Sequence, residues 1–246
     1  MKKLIKSIFY RLGFEIYRKG YAPVAPPTAF TARRSMFDAL REIKARHHLK
    51  PATVIDVGAA QARWSEQVIQ IWEKAHYALI EPIQENEAAL QAFTQQHPKA
   101  SYHLAVAGQE KGSVPFSVSP DLDGSGVYGD QASNIRHVPV EPLDDLVQTP
   151  GPYLLKLDTH GYELPIFEGA TRILAQTELL IVEVYGFYVS PTAVLFPELC
   201  QYLDQKGFRM MDIADIMQRP GDGAFWQADF FFLPKTHPIF ENNSYR

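Results

Sequence analysis

Cysteine and long apolar runs are the two most evident absences from this sequence. The 246 residues include a single cysteine, Cys200, which excludes an internal disulfide and any metal cluster built on several cysteines. No apolar run approaches the roughly 20 residues that span a bilayer. The first residues also lack the apolar core and cleavage site of a secretory signal. The sequence therefore predicts a cytoplasmic protein that is long enough to bury a core without covalent cross-links.

Acidic residues are scarce only at the start of the chain. Residues 1–20 hold six Lys or Arg and one acid, although the whole chain has a net charge of −4. The acidic remainder argues against a general nucleic-acid binder. Apolar residues at near-helical spacing between these cations are typical of a helix on an anionic membrane surface. The same pattern also fits packing on protein or on a second subunit, so peripheral membrane contact and a homo-oligomer both stay open.

Three prolines separate this basic start from the rest of the sequence. Pro23, Pro26 and Pro27 predict an extended linker within residues 22–31. We therefore divide the chain into a basic amphipathic segment with its linker, residues 1–32, and one folded domain, residues 33–246.

Short apolar strands alternate with helical stripes after residue 50. The predicted strands are 53–57, 77–80, 101–107, 114–118, 135–140, 153–158, 179–184, 208–213 and 228–233. The predicted helices cover 35–47, 64–75, 86–93, 166–174 and 195–203. Such alternation indicates an α/β fold with a mostly parallel sheet and helices on both faces. The last two strands predict a hairpin, and hence one antiparallel strand at the sheet edge.

Glycine is scarce where a dinucleotide-binding protein needs it most. The Gly-x-Gly-x-x-Gly pattern would start at Gly58, but Ala60 and Arg63 occupy its other glycine positions. Glu81 ends the second strand, where an acid can accept hydrogen bonds from both hydroxyls of a ribose. These features favour a cofactor with a ribose and no pyrophosphate, such as S-adenosylmethionine. The alternative is a plain turn followed by a surface acid.

Five short segments occur in a characteristic order along the chain: 54–59, 79–82, 138–146, 155–163 and 180–184. The most specific is Lys-x-Asp-x-x-Gly-x-Glu at 156–163, followed by Glu-Gly-Ala at 168–170. In these segments the chain resembles the FkbM-type family of class I S-adenosylmethionine-dependent methyltransferases, over about residues 50–234. The resemblance implies a Rossmann-like fold with a seven-stranded, mostly parallel sheet, one antiparallel strand and extra strands after strand three. It also implies methyl transfer, mostly to oxygen.

The resemblance further implies a set of cofactor-binding residues. They are Asp56, Gly58 and Ala59 at the amino-acid end, Glu81 on the ribose, Pro82, Ile83, Val106 and Ala107 around the adenine, and Asp158 beside the transferable methyl. Ala60 and Gln61 complete the predicted cofactor turn. This turn departs from the family pattern, which often has glycine at the position of Ala62.

Asp158, His160 and Glu163 are the candidate catalytic residues. Methyl transfer to a hydroxyl requires a proton acceptor, and histidine in general titrates near neutral pH. The sequence leaves open whether Asp158 or His160 is the base. It also leaves open a structural role for His160 and Glu163 at a helix entry.

No metal site is predicted. Asp121 and Asp123 begin a pattern like a calcium loop, but Ala132 stands where the loop needs glutamate. Instead, we expect this loop to cover the acceptor. Adjacent His47 and His48 point to different helix faces and do not suit one ion.

The leading hypothesis is an O-methyltransferase that acts on a sugar hydroxyl of a glycan or glycolipid, an acceptor class implied by the resemblance. The alternatives are a small-molecule natural-product O-methyltransferase and a non-catalytic binding module that retains the fold.

Overall fold

The computed structural model describes residues 34–122, 124–127 and 134–245. The predicted helix and linker of the 1–32 segment lie outside the described residues, as do Asp123 and Ala132. Within the described ranges, no helix combines the length and apolar character needed to cross a membrane.

Helices and strands alternate along most of the described chain. The helices are α1 (Met36–His47), α2 (Arg63–Val68), α3 (Glu87–Gln96), α4 (Leu143–Leu146), α5 (Glu163–Glu168), α6 (Thr171–Leu174) and α7 (Phe196–Gln205). The strands are β1 (Thr53–Val57), β2 (His76–Ile80), β3 (Ala100–His103), β4 (Val106–Ala107), β5 (Gly112–Ser117), β6 (Ile135–Glu141), β7 (Tyr153–Leu157), β8 (Thr177–Tyr185), β9 (Phe208–Gln218) and β10 (Phe225–Pro234).

Seven strands form the main sheet, in the order β3-β2-β1-β7-β8-β10-β9. Strand β10 runs antiparallel to both of its neighbours, and the other adjacent strands pair in parallel. The predicted fold class, a mostly parallel seven-stranded sheet with one antiparallel strand, is therefore confirmed.

The predicted edge position of the antiparallel strand is wrong. Strand β10 lies between β8 and β9, and β9 forms the edge. The apolar run Phe-Phe-Phe-Leu at residues 230–233 explains this order, because the interior position buries it, whereas most of β9 is at least partly exposed. A strand buried on both faces belongs in the interior of a sheet.

The predicted strand at 101–107 is in fact two strands in two different sheets. Strand β3 pairs with β2 in the main sheet, whereas β4 pairs with β6 in a small sheet of order β4-β6-β5. Val106 leaves the main sheet because it packs with Phe116 and Val138 in the core of the small sheet.

Two predicted helices are shorter than their apolar stripes. Helix α2 ends at Val68, and Trp72 lies beyond it, buried, with its indole N–H donating to the Leu49 carbonyl at 3.2 Å. The stripe at 166–174 splits into α5 and α6 at Gly169. A Cβ there would lie 1.9 Å from the Gly108 carbonyl oxygen, so the backbones meet where a helix would otherwise continue.

Both faces of the main sheet are covered by helices. Ile55 of β1 belongs to the same core cluster as Phe167 of α5. The adjacent Val54 belongs to the opposite cluster, with Leu40 of α1 and Leu90 of α3. This period-two alternation buries β1 completely. Because both faces of β1 are covered, a ligand can reach this strand at its carboxyl end, at the edge of the sheet.

Candidate active site

A cavity of about 370 Å³ opens at the carboxyl ends of β1, β2 and β7, the edge at which open α/β sheets bind ligands. The predicted site residues that line it are Gly58, Ala59, Ala60, Gln61, Glu81, Pro82, Ile83, Val106, Ala107, Asp158 and His160. Asp56 and Glu163, also predicted, are not among the residues that line the cavity.

Gly58 allows the ends of β1 and β7 to touch. Its φ is +75°, and a Cβ there would lie 2.0 Å from the Asp158 carbonyl oxygen. The Asp158 N–H donates to the Val57 carbonyl at 3.0 Å, which holds the two strand ends together. Ala60 and Ala62 in the same turn have φ of 45° and 60°. They adopt the left-handed conformation that glycine would take most easily.

Glu81 is buried at the end of β2 and fixes the loops on both sides. Its Oε2 accepts the Ala60 N–H at 2.8 Å, and its Oε1 accepts the Ile83 N–H at 2.8 Å. Burial raises the pKa of Glu81, and these two backbone hydrogen bonds oppose that rise. The Asn86 side chain donates to Glu81 as well. A carboxylate has about four acceptor positions, so Glu81 keeps capacity for a ligand hydroxyl while it holds the turn.

Asp56 lies behind the cavity and binds Lys156. Its Oδ1 is 3.0 Å from Lys156 Nζ, and its Oδ2 accepts the Ser65 hydroxyl at 2.8 Å. Lys156 Nζ is also 3.3 Å from Asp158 Oδ2. Burial alone would lower the pKa of Lys156, but Asp56 and Asp158 outweigh it and raise that pKa. Lys156 therefore stays charged and orients Asp158 at the cavity wall.

His160 extends from the end of β7 toward two carboxyl groups. Its Nε2 lies 3.6 Å from Asp158 Oδ1 and 3.8 Å from Glu183 Oε2. Its Nδ1 lies 3.0 Å from the Ser125 carbonyl oxygen. A carbonyl oxygen can only accept, so Nδ1 carries the hydrogen and Nε2 of the neutral ring presents its lone pair.

Glu183, near the end of β8, is held in place by two further side chains. It accepts the Tyr185 hydroxyl and the Gln227 side-chain amide. Burial, with the Asp158 charge adding to it, raises the pKa of Glu183 to about 9. Burial also disfavours ionised Asp158, but the Lys156 ammonium outweighs it and lowers the pKa of Asp158. The cavity wall thus combines an ionised carboxylate with a carboxyl group that holds its proton at neutral pH.

Glu163 shapes the loop after β7 from behind the cavity. Its Oε1 accepts the Gly161 N–H at 2.9 Å and the Thr159 hydroxyl at 3.1 Å. Burial raises the pKa of Glu163, and the Gly161 hydrogen bond opposes the rise. These contacts place Glu163 in a supporting position.

Three residues outside the predicted set also line the cavity: Lys156, Glu183 and Ser125. Lys156 and Glu183 carry a detectable signal, since each is a charged residue with apolar residues directly on both sides and lies within a segment that resembles the family. Ser125 carries no such signal, because its carbonyl reaches His160 only through the folding of residues 124–127 against the cavity.

The sheet order and the cavity at its carboxyl edge define an α/β protein with the methyltransferase fold. The model of the Methyltransferase FkbM domain matches residues 56–210, more than half of the chain. The chain belongs to this family of methyltransferases. No curated protein sequence matches it.

Solved structures with a similar fold include several methyltransferases. Methyltransferase FkbM from Methylobacillus flagellatus KT is similar with a TM-score of 0.52 at 19% identity, and the match covers 78% of this chain and 47% of that one. This chain thus spans about half the length of that protein. The 1,6-didemethyltoxoflavin-N1-methyltransferase of Burkholderia thailandensis, solved with its substrate and S-adenosylhomocysteine, has a TM-score of 0.46 at 13% identity and coverages of 95% and 88%. Methanococcus jannaschii fibrillarin has a TM-score of 0.48 at 13% identity and coverages of 80% and 73%.

Proposed function

We propose that this protein transfers a methyl group from S-adenosylmethionine to a hydroxyl oxygen of a sugar in a glycan or glycolipid. The observation that carries the proposal is a single cavity with two chemically different ends. Glu81, Ile83 and Val106 line one part of it, and Asp158 and His160 line another. One cavity can therefore hold a nucleoside-containing cofactor and an acceptor close together.

The residues around Glu81 fit the nucleoside part of S-adenosylmethionine. Glu81 is 4% exposed, and its carboxylate keeps an acceptor position for a ribose hydroxyl. Ile83, Val106 and Ala107 are buried apolar residues suited to the faces of an adenine. Gly58 leaves the turn without a side chain beside the strand end. When bound, S-adenosylmethionine supplies an electrophilic methyl group on a sulfonium centre.

Asp158 and His160 would act on the acceptor hydroxyl. The Nε2 lone pair of His160 and the ionised carboxylate of Asp158 are both able to accept its proton, which transfer to oxygen requires. In this proposal Asp56 and Glu163 do not touch the acceptor but position the residues that do. Asp56 positions Asp158 through Lys156, and Glu163 positions the loop that carries His160.

Methyl-labelled S-adenosylmethionine tests the proposal with a panel of glycolipids, nucleotide sugars and hydroxylated small molecules. We expect a labelled methyl ether on a sugar, identified by mass spectrometry. The Asp158→Asn and His160→Ala variants report which group is the base, whose loss reduces turnover by about 10²–10⁴-fold. The exposed His137→Ala variant is the matched control and keeps full turnover.

The other outcomes separate the alternative functions. Label on a small hydroxylated molecule alone would indicate a natural-product methyltransferase. Saturable S-adenosylhomocysteine binding with no label on any acceptor would favour a binding module. Absence of saturable binding at millimolar concentration would contradict the use of this cofactor.

A further inference from the structure

The cluster of Asp158, His160 and Glu183 has the composition and spacing of a metal site. One donor atom from each residue lies within 4.8 Å of the other two. The separations from His160 Nε2, 3.6 and 3.8 Å, are too long for hydrogen bonds and leave room between the three donors. Ligands at right angles around an ion with bonds of 2.0–2.1 Å lie about 3 Å apart, so small side-chain movements would close the site.

The surroundings of the three donors are those that a bound ion requires. A metal-binding histidine almost always donates its other ring N–H to a carboxylate, backbone carbonyl or water. His160 Nδ1 donates to the Ser125 carbonyl and so directs the Nε2 lone pair at the cluster. Ligand carboxylates are also held by hydrogen bonds. Glu183 is held in this way by Tyr185 and Gln227.

The two oxygens of Asp158 have different surroundings. Oδ2 faces Lys156 at 3.3 Å, whereas Oδ1 faces His160. An ion on the Oδ1 side therefore does not displace the lysine. The ion pair with Asp56 keeps Lys156 in place while Oδ1 of Asp158 binds the ion.

The charge of this region also favours a cation. Asp229 of β10 stands directly opposite Glu183 of β8 in the antiparallel register, so both side chains leave the same face of the sheet. Asp158 adds a third carboxyl group, and its partner Lys156 is shared with Asp56. Carboxylates this close together repel one another unless cations or protons neutralise them, so a bound ion would take the place of the proton that Glu183 otherwise holds.

We propose that Asp158, His160 and Glu183 bind one divalent cation, and that this ion binds the acceptor through two adjacent sugar hydroxyls. A set of two carboxylates and one imidazole suits a first-row ion such as Mn²⁺, and three protein ligands leave coordination positions open. This site has no signature in the sequence, because Glu183 reaches the other two residues only through the pairing of β7 with β8.

The role of the ion rests on the proposed function, although ion binding itself does not. A hydroxyl that binds a dication loses its proton far more readily than a free one. In this form of the mechanism the hydroxyl proton would leave to solvent water, and the acceptor oxygen would keep the electron pair that forms its bond to the methyl carbon. The methyl–sulfur bond would break, and its electron pair would stay on the sulfur of S-adenosylhomocysteine. Asp158 and His160 then activate the hydroxyl through the ion.

Titration of the EDTA-treated full-length protein with MnCl₂, followed by calorimetry and electron paramagnetic resonance, tests the proposal. We expect one Mn²⁺ per chain, with nitrogen hyperfine coupling from the imidazole. Glu183→Gln should weaken binding by at least about tenfold. His160→Gln, which leaves no additional buried charge, should remove the nitrogen coupling. The exposed Asp204→Asn variant removes one charge elsewhere and should bind like the wild type.

Three results would overturn the metal site. They are no Mn²⁺ binding at millimolar concentration, equal binding by all four proteins, and nitrogen coupling that persists in His160→Gln. Binding of S-adenosylhomocysteine is measured on the same samples. Cofactor binding without Mn²⁺ binding would overturn the ion alone, and Mn²⁺ binding without cofactor binding would overturn the proposed function alone.

Discussion

Lys156 is the residue on which the charge balance of the site depends. It is 4% exposed, contacts Asp56 and Asp158, and lies with its Nζ 5.5 Å from the centre of the Trp64 ring. A buried carboxylate that loses its counter-charge pays the full cost of desolvation. The orientation of Asp158 is therefore coupled to the stability of the protein through this one ammonium group.

We predict that Lys156→Met lowers the free energy of unfolding by about 3–5 kcal/mol, the cost of removing one partner from a buried ion pair. Urea unfolding followed by tryptophan fluorescence measures the change. Lys111→Met is the control, because the Lys111 side chain is 66% exposed and its ion pairs are screened by water. Part of the loss should return in Lys156→Met combined with Asp56→Asn. A Lys156→Met protein with wild-type stability would refute this account of the buried charges.

Glu81 is the residue that would bind the ribose of the cofactor in the proposed function. Replacement of Glu81 by alanine should weaken S-adenosylhomocysteine binding by roughly ten- to 150-fold, since a hydrogen bond to a charged group contributes about 1.5–3 kcal/mol. Calorimetry measures the affinity at a temperature where circular dichroism shows a folded variant. Glu85→Gln, on the exposed turn that follows, should bind normally. Unchanged affinity in folded Glu81→Ala would remove Glu81 from the proposed ribose site.

At the scale of elements, the turn between β1 and α2 decides whether the site can form. The turn combines positive φ at Gly58, Ala60 and Ala62 with direct contact between the ends of β1 and β7. No side chain fits between these two backbones at position 58.

We predict that Gly58→Ala lowers the free energy of unfolding by at least about 2 kcal/mol, because the new methyl group meets a backbone oxygen in a conformation that alanine disfavours. Gly112→Ala is the matched control. A Cβ at Gly112 has nothing within 4 Å, so the change should stay within about 0.5 kcal/mol. Equal stability of the two variants in urea unfolding would contradict the close approach at Gly58.

The elements that could be predicted from the sequence are those whose own residues determine them. Strand β1 has the predicted bounds, and α1 begins after its Ser35 cap and covers the predicted residues. The errors arose where distant contacts decide the outcome. The division of α5 from α6 depends on the approach of Gly108 to Gly169, and the interior position of β10 depends on its pairing with both β8 and β9.

The site divides in the same way. Turn residues such as Gly58 and Glu81 directly follow strands, so their place at the sheet edge could be predicted from the strand pattern. The partners of His160 could not be predicted from the strand pattern. Ser125 precedes it by 35 residues and Glu183 belongs to the next strand, so their proximity follows from loop folding and strand register. The predicted roles of the site residues stay predictions until binding is measured.

For the whole molecule, the basic start of the sequence predicts a membrane contact, which a glycolipid acceptor would use. Each cation near an anionic surface contributes about 1 kcal/mol before the cost of ordering. Full-length protein should therefore sediment with anionic vesicles, and less so at high salt, whereas a chain that starts at Phe30 should stay in solution. Neutral vesicles are the control. Equal binding by both chains, or none by either, would leave packing on protein as the role of residues 1–20.

The interior position of β10 also has a consequence for synthesis. The strand is translated last of the seven but lies between two others, so β8 keeps an open edge until residues 225–234 leave the ribosome. An incomplete chain that stops before Phe225 exposes this unpaired edge, which can pair with other chains and promote aggregation. It also lacks Gln227 and its hydrogen bond to Glu183. A stalled translation product thus lacks both the complete seven-stranded sheet and the complete site.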